Sequence, residues 1–439
     1  MFQTLKKAWG VPEIRKKILY TLLMIIIFRL GSAITVPYLE TDKVREWMDG
    51  NATGGNFLEY LDILTGGALS QATIFSLSIT PFINASIIMQ LLTFALPPLE
   101  RLRDEGEEGR KKINKITAFV ALALAFFMAY AYYLTLRRSA GAVKYTEGTE
   151  GWFAGAVIVL SFVAGASFVV WMGNRVSDNG IGNGVSIILF AGIAARFPSD
   201  AGLLIRLSKE SIENGENGKY LWISIAYLLF ILFEIGFIVF MNEAERRIPI
   251  QYAKRVVGRK QYGGQKTHIP IKICMSGVMP IIFAMSFMAL PQTIQLFKPD
   301  NGTGFYHSFC MFFKRTSWSY AILYFLLIIA FNYFYVSIQY NPVEIANNLR
   351  QSNGGIPGIR PGKPTSDYIQ RVLNKISLVG AFFLGIIAII PIFIAMADDK
   401  LQSLSMGGTT ILIAVSVALE TTRTLESHLM MRHHKGFLQ

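Results

Sequence analysis

Apolar runs of roughly 18 to 25 residues recur from one end of the chain to the other, each long enough for a helix to cross a bilayer core. They predict ten spans, at about 17–37, 72–96, 116–136, 152–172, 184–203, 219–241, 271–291, 317–340, 371–395 and 406–427. No short-period repeat appears. The halves 1–205 and 206–439 carry five spans each, and an odd number per half makes any internal duplication inverted in the membrane.

The run from Ile74 to Ala95 departs from a plain lipid-facing span. Ser76, Ser78, Thr80, Asn84, Ser86 and Gln90 run through it, and Pro81 sits near its middle. Unsatisfied polar groups in hydrocarbon cost several kcal/mol, so this density suits a helix packed on neighbours or lining a wet path. Ile79 and Ile83 stand in this polar setting four residues apart, on one helix face. Comparable aliphatics recur on three other spans: Val185 and Leu189 after GIGNG, Ile282 after Pro280, and Ile413 after GGTT. Each lies beside Gly, Ser, Thr, Pro or Asn. Each alone is ordinary core; together they fit a hydrophobic constriction that gates by dewetting.

Three inter-span segments are long. The first, Leu39 to Gln71, is acidic and ends in a short apolar stretch, Phe57 to Leu64, before Gly66 and Gly67. That stretch is compatible with a re-entrant or plug-like half-helix and equally with an external helix on the surface. The other two, Asn242 to Lys272 and Asn341 to Lys375, interleave basic residues with aromatic, Gly and Pro positions. Both are too long and too mixed for simple connectors and read as docking surfaces for a large partner. The segments Arg196 to Lys219 and Lys298 to Arg315 read as short, featureless external loops.

Composition agrees with this class: 52% of the 439 residues are hydrophobic and 16% charged, against about 25% charged in soluble domains. The net charge of +13 comes from basic residues concentrated in alternate segments. The positive-inside rule therefore puts both termini in the cytoplasm and makes anionic lipid a partner. An RNA-rich or acidic partner fits the basic loops; no DNA partner is expected. The N-terminal Lys6, Lys7, Arg15, Lys16 and Lys17 before an apolar run resemble a signal peptide. Arg29 and the lack of a small-x-small site favour an uncleaved first span.

Enzymatic parts are missing. No GxSxG, HExxH or CxxC occurs, and Gly263 to Thr267 lacks the glycine before lysine that a phosphate loop needs. The two cysteines, Cys274 and Cys310, and the five histidines form no ligand pattern, so no metal or cofactor is expected. Deep ionisable residues within spans reduce to Arg29, Glu234 and Glu420, each near enough to a span end to snorkel or pair. Three scattered groups make a poor proton relay, which weighs against a secondary small-molecule transporter.

Long segments now carry a resemblance. LTGGALSQATIFSLSITPFINASIIMQLL, EGEEGRKKINKIT, GIGNGVSIILFAGI, RRIPIQYAKR, THIPIKICMSGVMPIIFA, NPVEIANNLRQSNGGIPGIRPG and GGTTILIAVSVALET, in this order, resemble the SecY family of bacterial Sec translocase subunits. The resemblance implies an all-α polytopic membrane protein of the inner membrane, with two inverted five-helix halves forming an hourglass protein-conducting channel. Unfolded, signal-bearing polypeptides would cross it, and apolar segments would leave sideways into lipid. By motif position the pore ring is Ile79, Ile83, Val185, Leu189, Ile282 and Ile413. The plug spans about 57–67 with Phe57, Leu58, Leu61, Ile63, Leu64, Gly66 and Gly67. A lateral gate between spans two and three and spans seven and eight carries Asn84, Gln90, Ser286 and Leu290. Arg246, Arg247, Lys254, Arg255, Arg259, Lys260 and Arg360 fall at docking positions for the ribosome and the SecA motor. SecE, SecG, signal peptides and nascent chains complete the implied partners.

Overall fold

The computed structural model describes residues 6, 8–51, 61–62, 65–138, 140–213, 219–252, 255–257, 260–262, 266–297, 304–314, 317–397 and 407–435. Phe57, Leu58, Ile63, Leu64, Lys254 and Arg259 lie outside these residues.

Each of the ten predicted spans contains one long helix: α1 (Pro12–Gly31), α3 (Thr80–Ala95), α5 (Glu107–Arg138), α6 (Gly148–Asn179), α7 (Gly184–Glu213), α8 (Lys219–Glu243), α9 (Met279–Phe297), α11 (Trp318–Gln339), α13 (Lys363–Ala397) and α14 (Gly407–Lys435). Shorter helices are α2 (Thr41–Asn51), α4 (Pro97–Asp104), α10 (Phe305–Phe312) and α12 (Pro342–Gln351). By length and hydropathy alone, α5, α6, α7, α8, α11 and α13 are long and apolar enough to cross a membrane. In α1 the charges Arg15, Lys16, Lys17 and Arg29 dilute the run. The chain is an all-α polytopic membrane protein.

The two halves have separate cores. One joins Val36, Leu69, Tyr132, Leu136, Ile158 and Phe162. The other joins Ile238, Ile281, Met288, Ile328, Leu384 and Leu412. Two seams connect them. Along one, α7 packs on α8 and α14; along the other, α9 lies against α5 and α3.

The span predicted over 72–96 is corrected: its helix begins only at Thr80. Residues 68–79 form successive turns in which hydroxyls take backbone partners. Ser76 Oγ donates to the carbonyls of Ala68 (3.0 Å) and Thr73 (2.6 Å), and Tyr132 donates to Leu69 O at 2.8 Å. Serine and threonine compete in this way with helical hydrogen bonds, and Pro81 stands in the first turn, where its missing N–H costs nothing. Such backbone is tolerated at membrane depth because helices enclose it. Gly165 of α6 lets the unwound chain approach: a Cβ there would lie 2.0 Å from Ile74 O. At the far end the chain bends 103° between Ala95 and Pro97.

The segments after α7 and α9 are corrected too. α7 continues through Pro198 to Glu213, and α10 occupies part of the second loop.

The two long basic segments also hold unanticipated structure. In the first, β1 (Glu245–Tyr252) pairs antiparallel with β4 (Lys266–Lys272), register Glu245↔Lys272 to Gln251↔Lys266. At its outer part β2 (Arg255–Val257) pairs with β3 (Lys260–Tyr262). In the second segment, Asn341 caps α12, its Oδ1 accepting from Val343 N (3.1 Å) and Glu344 N (3.4 Å), with Pro342 in the first turn. Then β5 (Gly354–Gly355) adds to the β1 edge at Gln251 and Tyr252. Ile248, Ile250 and Ile271 alternate inward onto Leu349, Ile356, Ile369 and Leu373. The two segments are thus one platform.

Candidate functional site: an aliphatic waist and its polar seat

Helix α7 organises this region. Val185, Leu189, Gly192 and Arg196 follow one another at spacings of four, three and four, so they share one face. Leu189 is buried in a cluster with Ile79, Met24, Phe28, Phe75, Val169, Met172 and Ile188, and Ile83 and Val185 pack against it. Ile193 is buried with Ile413, Ala414 and Val417, and Phe190, Val278 and Ile282 pack against that second cluster. The structure therefore brings four of the six aliphatics together and the other two together, with α7 shared between the clusters. None of the six is exposed: Ile79 is 0%, Ile413 2% and Leu189 5% accessible, and Ile83, Val185 and Ile282 are half-buried.

Beside this apolar zone lies a polar one. Ser78 Oγ, Thr80 Oγ1 and Asn84 Oδ1 are buried without a hydrogen-bond partner among the described residues. Three such atoms on seven residues mark the start of α3 as a place that water or another chain must satisfy.

Seven residues beyond Leu189, about 10 Å along the helix, Arg196 Nη1 meets Asp62 Oδ2 at 2.7 Å. The other carboxylate oxygen accepts from Ser70 N at 2.7 Å, and Asp62 O accepts from Gly67 N (2.8 Å) and Thr65 Oγ1 (3.0 Å). Leu61 beside it is buried in the core of the first half. One turn back along α7, the Arg29 guanidinium donates to the carbonyls of Ala191 and Gly192. Gly66, at φ +69°, sits on this contact: a Cβ there would be 2.5 Å from Gly192 O and 2.9 Å from Arg29 Nη2. Arg29 thus reaches inward to α7 and not out to a span end. Glu234 likewise does not snorkel: it is 5% exposed, with Oε2 unpartnered among the described residues. Asp62 and Arg196 went unnoticed in the sequence because a lone acid in a loop and a lone base at a span end carry no pattern.

At the second seam, Asn84 and Ser286 are half-buried and Gln90 is exposed. The Leu290 side chain lies outside the described residues. Ala289 of α9 is buried in the core of the first half, and Phe94 meets Phe334 edge-on at 5.5 Å, joining α3 to α11. These contacts join the two sides of the seam.

On the platform, Arg246 and Arg247 are exposed, the latter paired with Glu245 at 2.7 Å. Arg255 and Lys260 lie in the β2–β3 hairpin, their side chains outside the described set. Exposed Arg360 tops a turn whose backbone is held by Thr365 Oγ1 at 2.8 Å. At the base of β4, burial and then the Arg423 guanidinium lower the pKa of Lys272, against Glu245 and Glu420. Among the described residues no group of His, Cys, Asp or Glu is arranged to hold a metal ion.

Comparison with known proteins agrees with this architecture. The SecY family model matches residues 73–422. The chain is 38% identical to protein translocase subunit SecY of Streptomyces coelicolor, covering all of both chains. It is also 38% identical to that of Thermotoga maritima, covering all of this chain and 98% of the relative. Among solved structures, a protein-conducting channel superposes with TM-score 0.65 at 17% identity, 96% of each chain covered. A SecY protein whose plug domain stabilises the closed state of the translocation channel and maintains a membrane seal does so at 0.66 and 17%, with the same coverage. The channel of a canine ribosome-channel complex from the endoplasmic reticulum gives 0.61 at 16%, again covering 96% of each chain. A protein-translocating channel is what these likenesses have in common, and the chain belongs to the SecY family of protein-translocating channels.

Proposed function

We propose that Ile79, Ile83, Val185, Leu189, Ile282 and Ile413 form the waist of the channel, with the two halves inverted about it. Dewetting of this waist blocks ions while an unfolded chain threads it. The carrying observation is the shared face of α7, where waist residues and the seat of the Asp62–Gly67 turn follow in succession. The segment 57–67 is the plug: of its described residues, Asp62 and Gly66 meet α7 beyond Leu189, and the plug domain of the structural neighbour supports the same role here.

The second seam is the lateral gate. Its polar groups are worth roughly 1 kcal/mol per interhelical bond, so an apolar signal helix can replace them and pass into lipid. Support comes from the unsatisfied Asn84 Oδ1 and the edge-on ring pair Phe94–Phe334 across the seam.

The platform is the docking face, in the cytoplasm with both termini. The canine channel and a yeast complex bound to the 80S ribosome (TM-score 0.58, 12% identity, 92% of this chain covered) support a ribosome as one partner. SecA, SecE and SecG enter by family resemblance, in the inner membrane of a bacterium.

Reconstitution tests the reading. Proteoliposomes with the channel, its partner subunits and the SecA motor export a signal-bearing polypeptide; solute uptake without a motor and no polypeptide export would sink it. Arg360→Glu lowers motor-driven export severalfold while abundance in the membrane holds. Wild-type export in that variant removes Arg360 from the docking face.

A further inference from the structure

The Asp62–Arg196 pair has features that packing alone does not require. The Asp62 side chain is 8% exposed and that of Arg196 20%, and the two are joined across 134 residues of sequence. Both Asp62 oxygens are used, one by Arg196 and one by Ser70 N. The attraction that brings the turn down is already supplied by Leu61 in the apolar core and by the close fit of Gly66 on Gly192. A buried ion pair adds little net attraction, because desolvation of both groups offsets it. It adds something else: the buried Asp62 carboxylate without its guanidinium is strongly unfavourable, and both groups are satisfied again once water reaches them. The pair therefore tolerates two states, turn seated or turn lifted into water, and penalises anything between.

We propose that the Asp62–Arg196 ion pair is a latch that sets how strong a signal sequence must be to open this channel. It rests on the plug reading of 57–67. Arg29 is the fixed part of the device: it ties α1 to α7 through the Ala191 and Gly192 carbonyls, so Arg196 is presented from a wall that does not move with the turn. Asp62 and Arg196 are positioning residues for gating; neither touches the translocating chain.

The test is a double-substitution cycle on the full-length channel, read as basal conductance in planar bilayers and as export of a reporter with a crippled signal sequence. Asp62→Asn keeps the acceptor for Ser70 N, and Arg196→Gln keeps a long polar side chain. Each single change raises conductance and crippled-signal export about tenfold, short of the cost of orphaning a fully buried charge. The combined D62N/R196Q channel leaks no more than the worse single one, because Asp62→Asn removes the carboxylate that Arg196→Gln deprives of its guanidinium. Additive leaks, or singles that stay tight and stringent, overturn the latch. Deletion of 57–67 separates the two claims. If that deletion leaks while D62N and R196Q do not, the plug stands and the latch falls. A deletion that stays tight removes the plug reading and the latch with it. Membrane abundance of each variant, and the charge swap D62R/R196D regaining stringency over Asp62→Arg alone, distinguish gating from a misfolded turn.

Discussion

The two halves bring unequal parts to the waist. The first contributes four of the six aliphatics, and the charges beside them are engaged: Arg29 on two carbonyls, Asp62 on Arg196. The second contributes Ile282 and Ile413, and Glu234, beside the first turn of the helix that carries Ile413, leaves one oxygen unpartnered among the described residues. The difference teaches that charge near a hydrophobic seal is handled in two ways. Paired across segments, it becomes something that can be broken and remade. Left with an unpartnered oxygen, it has no charged partner among the described residues to break from and rejoin.

The largest expected effects separate the halves at the waist itself. Ile413→Asn places an amide among Ile193, Ala414 and Val417, hydrates the constriction and raises basal conductance by about an order of magnitude, as a polar group replaces a dewetting one. Ile79→Asn has two costs. It opens the seal, and it also removes a fully buried side chain from the eleven-residue first-half cluster, a loss of about 2–5 kcal/mol for comparable truncations. Conductance rises in both variants, but membrane abundance falls further for Ile79→Asn, whose buried cluster is the larger. Equal abundance for the two, measured in membranes of the same expression level, would erase the asymmetry between the halves.

A smaller effect is expected at the seat. Gly66 and Gly67 both have positive φ, +69° and +86°, so alanine at either costs roughly 1–3 kcal/mol of backbone strain. Only at Gly66 does the new methyl also meet backbone, 2.5 Å from Gly192 O; at Gly67 it meets open space. Gly66→Ala therefore leaks more than Gly67→Ala in planar bilayers. The reverse order would mean that the turn does not sit on α7.

Much of this was open to reading before any coordinates. Ten apolar runs became ten helices because length and hydropathy are decided locally, and the long polar-loop motifs carried the family. What stayed hidden depends on partners distant in sequence. Pro81 sits near the middle of the apolar run, yet the hydroxyls of Thr73 and Ser76 find carbonyls at Ala68 and hold the chain unwound until Thr80. The alternation of Ile248 and Ile250 was visible, but Pro249, the charges and Gly-rich neighbours masked a strand, and β5 joins it from a hundred residues away. Asp62 and Arg196 each resembled solvated loop charges. Only the α7 face, with Leu189, Gly192 and Arg196 in line, makes them a pair.

The finest test concerns Glu234. Its Oε1 lies 3.2 Å from the position a Cβ would take at Gly408, in the first turn of α14, and the side chain is 5% exposed. An ionised carboxylate at that depth needs a partner, and the intramembrane alternatives cost several kcal/mol. Glutamine has the same shape, needs no counter-ion and keeps an oxygen toward the α14 N-terminus, where the free backbone N–H groups lie. Glu234→Gln is therefore expected to leave export unchanged and to alter the melting point of the detergent-solubilised channel little, within about 1 kcal/mol of the parent. Glu234→Lys, which puts a cation against that same helix end, lowers both abundance and melting point. A sharp loss of export in the glutamine variant, at normal abundance, would show that the second half also keeps a working charge beside the waist, and the contrast between the halves would go.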